Sequence, residues 1–155
     1  MTDAEKIVFK ARLKAYCIAV IEERISNALF AMQQAQEAAN EEEKSSAGDK
    51  YETSRAMNQL DKDMHAGQLM ANRNELAGII AADCTLLYKK VSIGSVVICE
   101  GQSFFIAAGL GKVIFEGQHF YMLSQHAPIL ALLLDKKTGD EIHFSNKTFL
   151  VKDIY

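Results

Sequence analysis

Apolar side chains recur at steps of three and four through the first part of the chain, which is the spacing of one helix face. From residue 4 to residue 39 the steps alternate as in a heptad seam, and only Lys14 interrupts it. The seam consists of Ala4, Ile7, Ala11, Lys14, Ile18, Ile21, Ile25, Ala28, Met32, Ala35 and Ala39. No Pro or Gly occurs in this stretch, so the pattern predicts one long amphipathic helix over residues 4–39.

A second helical pattern follows over residues 49–82. Met57, Leu60 and Met64 continue a three-and-four seam, which then moves to Leu69, Leu76 and Ile80. The seam shifts near Gly67, which predicts a local irregularity there. The polar residues 40–49, N-E-E-E-K-S-S-A-G-D, separate the two patterns. Because connections between neighbouring helices are usually this short, the chain is expected to turn back here as an antiparallel hairpin.

The pattern changes to short β-branched and aromatic runs from about residue 91. Runs at residues 91–98, 103–108, 112–115 and 119–124 are separated by turns containing Gly, and residues 141–144 and 148–154 predict a final hairpin. Residues 127–134, with Pro128 at an early position, predict a short buried helix. The expected fold class is therefore α+β, with a helical coiled-coil hairpin at 1–82 and a small antiparallel sheet domain with one helix at 83–155.

Composition and charge narrow the class of protein. The net charge of −3 and the pI near 5.8 argue against a generic nucleic-acid binder. The three cysteines form no CxxC pair, which indicates buried, reduced thiols. No apolar run is long enough to span a bilayer and the first residues lack a signal pattern, so we expect a soluble cytoplasmic protein with no membrane partner.

The carboxylates around the predicted turn are the candidate functional groups. Glu41, Glu42, Glu43 and Asp49 would lie together at the tip of the hairpin, near 40–49. Carboxylate oxygens suit Mg²⁺, which needs only one or two of them beside water and phosphate, so such a tip can complete a metal site of another molecule. Two structural interpretations stay open: the acids form a solvated surface, and Asp49 caps the second helix.

Catalytic motifs are missing from the sequence. It contains no nucleophile elbow, P-loop, HExxH or dinucleotide fingerprint. The stretch from Gly109 to Lys112 has the wrong spacing for a phosphate loop and predicts a hairpin turn instead. Pairing of Cys84 or Cys99 with His119 or His126 is disfavoured, because buried thiols are usually inert. We therefore expect no enzyme activity, no metal site and no cofactor of the protein's own.

Two segments resemble the Gre family of bacterial transcript-cleavage factors. The family pattern S-P-x-G-x-A-L-x-G-K-x-x-G-D is similar to residues 127–140, A-P-I-L-A-L-L-L-D-K-K-T-G-D. The positions that match are Pro128, Leu133, Lys136, Gly139 and Asp140, and those that depart are Ala127, Leu130, Ala131 and Asp135. In the hairpin, the family segment N-A-E-Y-x-A-A-R is similar to residues 48–55, where Tyr51 and Arg55 correspond.

The resemblance implies a regulator of transcription elongation that binds RNA polymerase. Members of the family have an FKBP-like domain after the hairpin, insert the hairpin into the secondary channel of the polymerase and help its own Mg²⁺ cleave backtracked RNA. The resemblance thus implies indirect contact with nascent RNA and DNA, a shared contact with polymerase-bound Mg²⁺ and a monomer. It assigns polymerase docking to Pro128, Lys136, Gly139 and Asp140.

One departure affects the tip. The family's D-x-x-E pair, aligned through Tyr51, falls on Lys44 and Ala47, and the nearest acids are Glu43 and Asp49. Three alternatives therefore stay beside a cleavage factor: an inhibitor that occupies the channel without cleavage, a coiled-coil interaction module unrelated to polymerase, and, ranked last, a small prolyl isomerase by fold analogy.

Overall fold

The computed structural model describes the backbone of residues 1–45 and 49–155, and the side chains of residues 1–42 and 52–155. Helices α1 (Asp3–Ser45) and α2 (Asp49–Ala81) come first and are followed by a six-stranded sheet, so the fold is α+β as predicted. The chain forms two compact units. The hairpin unit is Val20–Asn74, and the sheet unit joins Met1–Ala19 to Glu75–Tyr155. Both helix ends that the prediction placed in the hairpin, at 1–19 and 75–82, are therefore grouped with the sheet.

Helix α1 is longer than its seam predicts. It continues through Glu41 and Glu42 to Ser45, so the expectation that the helix breaks at Asn40 was wrong. Glu41, Glu42, Glu43 and Lys44 are good helix formers, so helix propensity favours this extension. Its first turn carries a capping box that the seam did not indicate. The Glu5 amide donates to Thr2 Oγ1 at 3.2 Å, while the Thr2 amide donates to Glu5 Oε2 at 2.6 Å.

The hairpin unit buries the predicted seam of α1 but a different face of α2. Along α1, Ala28 is buried and Ile25, Met32, Ala35 and Ala39 are half-buried. Along α2, the buried or half-buried positions are Ser54, Asn58, His65, Leu69 and Asn72. Met57, Leu60 and Met64 are instead 58%, 66% and 52% exposed, so the seam predicted for this part of α2 was wrong. His65 is half-buried, and its Nδ1 has no hydrogen-bond partner among the described residues.

The sheet unit contains six strands in the order β3-β4-β2-β1-β6-β5. Their bounds are β1 Val96–Cys99, β2 Ser103–Ala107, β3 Gly111–Phe115, β4 Gln118–Ser124, β5 Glu141–Phe144 and β6 Lys147–Ile154. All neighbours are antiparallel except β2 and β4, which pair in parallel from Ser103–Phe120 to Ala107–Ser124. Because β2 and β3 lie on opposite sides of β4, the residues between them cross over, and the hairpin turn predicted there was wrong.

Both faces of the sheet are covered. On one face, Phe9 of α1 packs against the rings of Phe115, Phe120 and Tyr155 at centroid distances of 5.7, 6.0 and 6.4 Å. On the other face, the short helix α3 (Leu130–Leu133) contributes Leu130 and Leu133 to the core. The predicted helix at 127–134 is thus reduced to its central residues, and Leu132 is 66% exposed rather than buried.

A buried lysine ties α1 to the segment that follows α2. Lys10 has no exposed surface, and its Nζ donates to the carbonyl oxygen of Leu86 at 2.6 Å. The same Nζ lies 4.6 Å from the centre of the Tyr88 ring, a cation–π contact. Burial lowers the pKa of Lys10 from 10.5 to about 8. The side of α1 that faces this segment therefore carries a desolvated cation.

Candidate functional site

The candidate acids lie where the two helices of the hairpin meet. Glu41 and Glu42 are exposed and occupy the last turns of α1, whose final residue is Ser45. The carbonyl end of a helix carries a partial negative charge, so carboxylates there lower helix stability by a few tenths of a kcal/mol.

Three other predicted tip residues lie outside the described side chains. Glu43 belongs to α1, and Asp49 and Tyr51 belong to the first turn of α2. Their backbone positions put them in the same part of the chain as Glu41 and Glu42.

Arg55, the second hairpin residue of the resemblance, lines a small polar groove in the hairpin unit. The groove has a volume of about 190 Å³ and a floor formed by Ala35 and Ala39. Its walls carry Gln36, Arg55, Asn58, Gln59 and Lys62. Lys62 Nζ donates to Gln36 Oε1 at 3.2 Å across the two helices. The predicted seam includes the two alanines but not Gln36 and Lys62, because these side chains are polar and the seam consists of apolar positions.

The four predicted docking residues lie between positions 128 and 140 and differ in whether their side chains shape a turn. Pro128 is exposed, and Lys136 is half-buried, with its carbonyl accepting the amide of Val91 at 2.8 Å. Pro128 and Lys136 thus present side-chain surface outside the apolar core.

Gly139 and Asp140 shape a turn. Gly139 has φ of +93°, in the region that favours glycine, and its amide donates to the Val151 carbonyl at 2.9 Å. Asp140 Oδ2 accepts the amide of Lys137, three residues earlier, at 2.8 Å, which closes the turn. The match of these residues to the family pattern therefore has a structural explanation of its own.

Metal and nucleophile chemistry find little support in the described side chains. Among residues 1–42 and 52–155, no group of three or more His, Cys, Asp or Glu side chains is arranged to hold a metal ion. Cys17, Cys84 and Cys99 are free and buried. Burial raises the pKa of Cys17 to about 12 and that of Cys99 to about 11. Thiols that stay protonated are poor nucleophiles.

None of the helices within the described part of the chain combines the length and apolar character needed to cross a membrane. Comparisons of the chain with known protein families, with curated proteins and with solved structures find no match.

Proposed function

We propose that this protein is a Gre-like regulator of transcription elongation that binds bacterial RNA polymerase through the secondary channel. The observation that carries the proposal is the position of Glu41 and Glu42 at the end of α1, beside the start of α2 at Asp49. Exposed carboxylates at the end of a helical hairpin can contact a metal ion held by a partner, because carboxylate oxygens suit Mg²⁺. The same arrangement, a helical hairpin followed by an α+β unit, supports the resemblance in residues 48–55 and 127–140.

In this proposal the polymerase supplies the catalytic centre. The hairpin acids lie near its Mg²⁺, where they assist binding of the second ion and positioning of water, while residues near Pro128 and Lys136 dock at the channel entrance. Mg²⁺ keeps several waters and accepts one or two protein carboxylates, so no complete metal site is needed in this chain. Because Lys44 and Ala47 stand where the family has D-x-x-E, Glu43 and Asp49 are the acids expected to take that role.

RNA cleavage in stalled, backtracked complexes of a bacterial polymerase tests the proposal. We expect the wild-type protein to accelerate cleavage and Glu43→Ala or Asp49→Ala to abolish the effect without loss of binding. Glu37→Ala is the matched control, since Glu37 is an exposed acid of α1 farther from the end of the helix. Binding is measured separately with fluorescently labelled protein and purified polymerase.

The outcomes separate the alternatives. Binding without accelerated cleavage, together with slower elongation, would identify an inhibitor that occupies the channel. No binding to polymerase at any accessible concentration would sink the proposal. Of the two alternatives unrelated to polymerase, the exposed Met57, Leu60 and Met64 of the hairpin would then favour an interaction module over a prolyl isomerase.

A further inference from the structure

The apolar seam predicted for the first part of helix α2 faces away from α1. The exposed seam, as we call it, alternates steps of four and three without a break over nineteen residues and includes no charged side chain. It is formed by Thr53, Met57, Leu60, Met64, Gly67 and Ala71, all of which are exposed. Positions at this spacing lie along one side of a helix. The side of α2 turned inward instead carries Asn58, His65 and Leu69.

The exposed seam has the character of an unfilled helix–helix interface. Met57, Leu60 and Met64 are each more than half exposed, at 58%, 66% and 52%. Single exposed apolar residues are common, but three in successive turns form a continuous patch of the kind that binds a partner. Methionine is flexible and polarisable, so it adapts to the side chains of another helix. From Thr53 to Ala71 the seam is about 27 Å long, enough for several turns of a partner.

The charges beside the exposed seam indicate the kind of partner. Asp61 follows Leu60 and Asp63 precedes Met64, so one acid flanks each side of the seam at its centre, and both are exposed. These are the positions that pair with a neighbouring helix in a coiled coil. The hairpin unit as a whole has ten acidic and six basic side chains. A partner helix with basic flanking residues would complement this surface.

A second copy of the chain fits less well. Antiparallel pairing centred on the exposed seam would bring Asp61 and Asp63 of one chain beside the same two residues of the other. Parallel pairing would put Asp63 beside Gln68 and Asp61 beside Ala56, with no cation for either acid. Like charges at these positions oppose association.

We propose that the exposed seam is a docking site for an amphipathic helix of another protein, with an apolar stripe flanked by lysine or arginine. Apolar side chains of the partner pack between Met57, Leu60 and Met64, and its cations meet Asp61 and Asp63. The mode is that of a helix bound along its apolar face. The inference goes beyond polymerase binding and does not depend on it.

The test uses the full chain and a synthetic three-heptad peptide with leucine at a and d and lysine at e and g. Lysines at those positions keep the peptide from pairing with itself. Binding is followed by fluorescence anisotropy. We expect saturable binding, weakened at least about tenfold in a Met57→Gln, Leu60→Gln, Met64→Gln variant, because the apolar area buried at the seam is lost. Ile80→Gln is the matched control, since Ile80 is 58% exposed on α2 and lies sixteen residues after Met64, about 160° around the helix from it.

A second arm tests the charges. The Asp61→Lys, Asp63→Lys variant is expected to lose preference for the lysine peptide and to prefer a version with glutamate at e and g. Equal binding by the seam variant and the wild type would overturn the proposal, as would equal binding of both peptides by the wild type. Self-association by the wild type in sedimentation equilibrium, abolished by the seam variant and kept by Ile80→Gln, would replace the partner helix by a second copy. Circular dichroism checks that every variant retains its helices.

Discussion

Lys14 Nζ donates a hydrogen bond of 2.8 Å to the carbonyl oxygen of Ala82, and a second of 2.9 Å to that of Ile80. Helix α2 ends at Ala81 and has no basic residue in its own last turn. The lysine that interrupts the seam of α1 therefore supplies a cation to the carbonyl end of α2, where the helix dipole favours one. The break in the seam is a helix cap contributed by a neighbouring helix.

This contact gives the first prediction. If only the apolar seam mattered, Lys14→Met would stabilise the protein, because methionine completes the apolar pattern. The hydrogen bonds predict the opposite, a loss of about 1–2 kcal/mol in the free energy of unfolding, since two carbonyls lose a charged donor. Urea unfolding of Lys14→Met is compared with Lys89→Met, a change at an exposed lysine for which we expect less than about 0.5 kcal/mol. Equal midpoints for the two variants would contradict the capping role.

Lys10 predicts a pH dependence. Its pKa is lowered from 10.5 to about 8 in the folded state, so the unfolded chain binds more protons between these values. The contribution of Lys10 to the free energy of unfolding must therefore rise as the pH increases from about 8 to about 10.5. We expect the wild type to gain up to about 3 kcal/mol over Lys10→Met in this range. Chemical unfolding of both proteins between pH 7 and 10.5 measures the difference.

Comparison with Lys10→Met cancels the titration of Cys17 and Cys99, whereas Cys84 interacts with the charge of Lys10, so the measured difference belongs to this pair. Lys10→Ala is a useful second variant, because it removes the cation and also leaves a cavity, which costs additional stability at every pH. A stability difference between wild type and Lys10→Met that stays constant across the range would show that Lys10 titrates normally in the folded protein.

Two glycines on either side of β1, Gly94 before it and Gly101 after it, are expected to differ in how strongly an alanine destabilises the protein. Gly94 has φ of +89°, and a Cβ there would lie 2.8 Å from the carbonyl oxygen of Asp83. Gly101 has φ of +76°, but a Cβ would meet nothing within 4 Å. Gly101→Ala should cost about 1 kcal/mol for the left-handed backbone alone. Gly94→Ala should lower the free energy of unfolding by at least about 1 kcal/mol more than Gly101→Ala, because the backbone at Asp83 must also move. Thermal unfolding of the two variants checks the order.

The three thiols are expected to resist modification in the folded protein. Cys17, Cys84 and Cys99 are buried, and burial raises the pKa of each. A thiol must ionise and be reached by the reagent to react. With a disulfide reagent at pH 8, labelling should be orders of magnitude slower in the native protein than in urea. One thiol that reacts at the same rate in both conditions would reveal a reactive cysteine.

Local patterns predicted the strands well where turn residues and alternation agreed. Residues 141–144 and 148–154 became β5 and β6 almost to the residue, since Ser145 and Asn146, with φ of 52° and 60°, make the turn between them. The run at 91–98 was less accurate. Only its end is strand, because a turn closed by the Ser95 amide on the Ser92 carbonyl interrupts it.

The helices show why periodicity alone could not identify the packed face. Periodicity reveals that a helix has an apolar stripe, but it does not reveal which other element covers that stripe. The first turns of α1 have a second stripe, Phe9, Leu13 and Cys17, which packs in the sheet unit and was not predicted. On α2 the apolar stripe is exposed and a more polar one faces inward. The acids at 41–43 were evident from the sequence, whereas the groove around Arg55 needed both helices in place.

The sheet unit is built from the first and last segments of the chain, which has a consequence for folding during translation. Its core joins Phe9 to Tyr155, and its last strand, β6, lies between β1 and β5 rather than at an edge. Strand β1 lacks one neighbour until β6 has left the ribosome. The core that packs against α1 can therefore be completed only after the last strand has been synthesised. Contacts between such distant parts of a chain slow folding. We expect the hairpin residues to become helical while the polypeptide is still growing, and the sheet unit to close only after translation of β6 is complete.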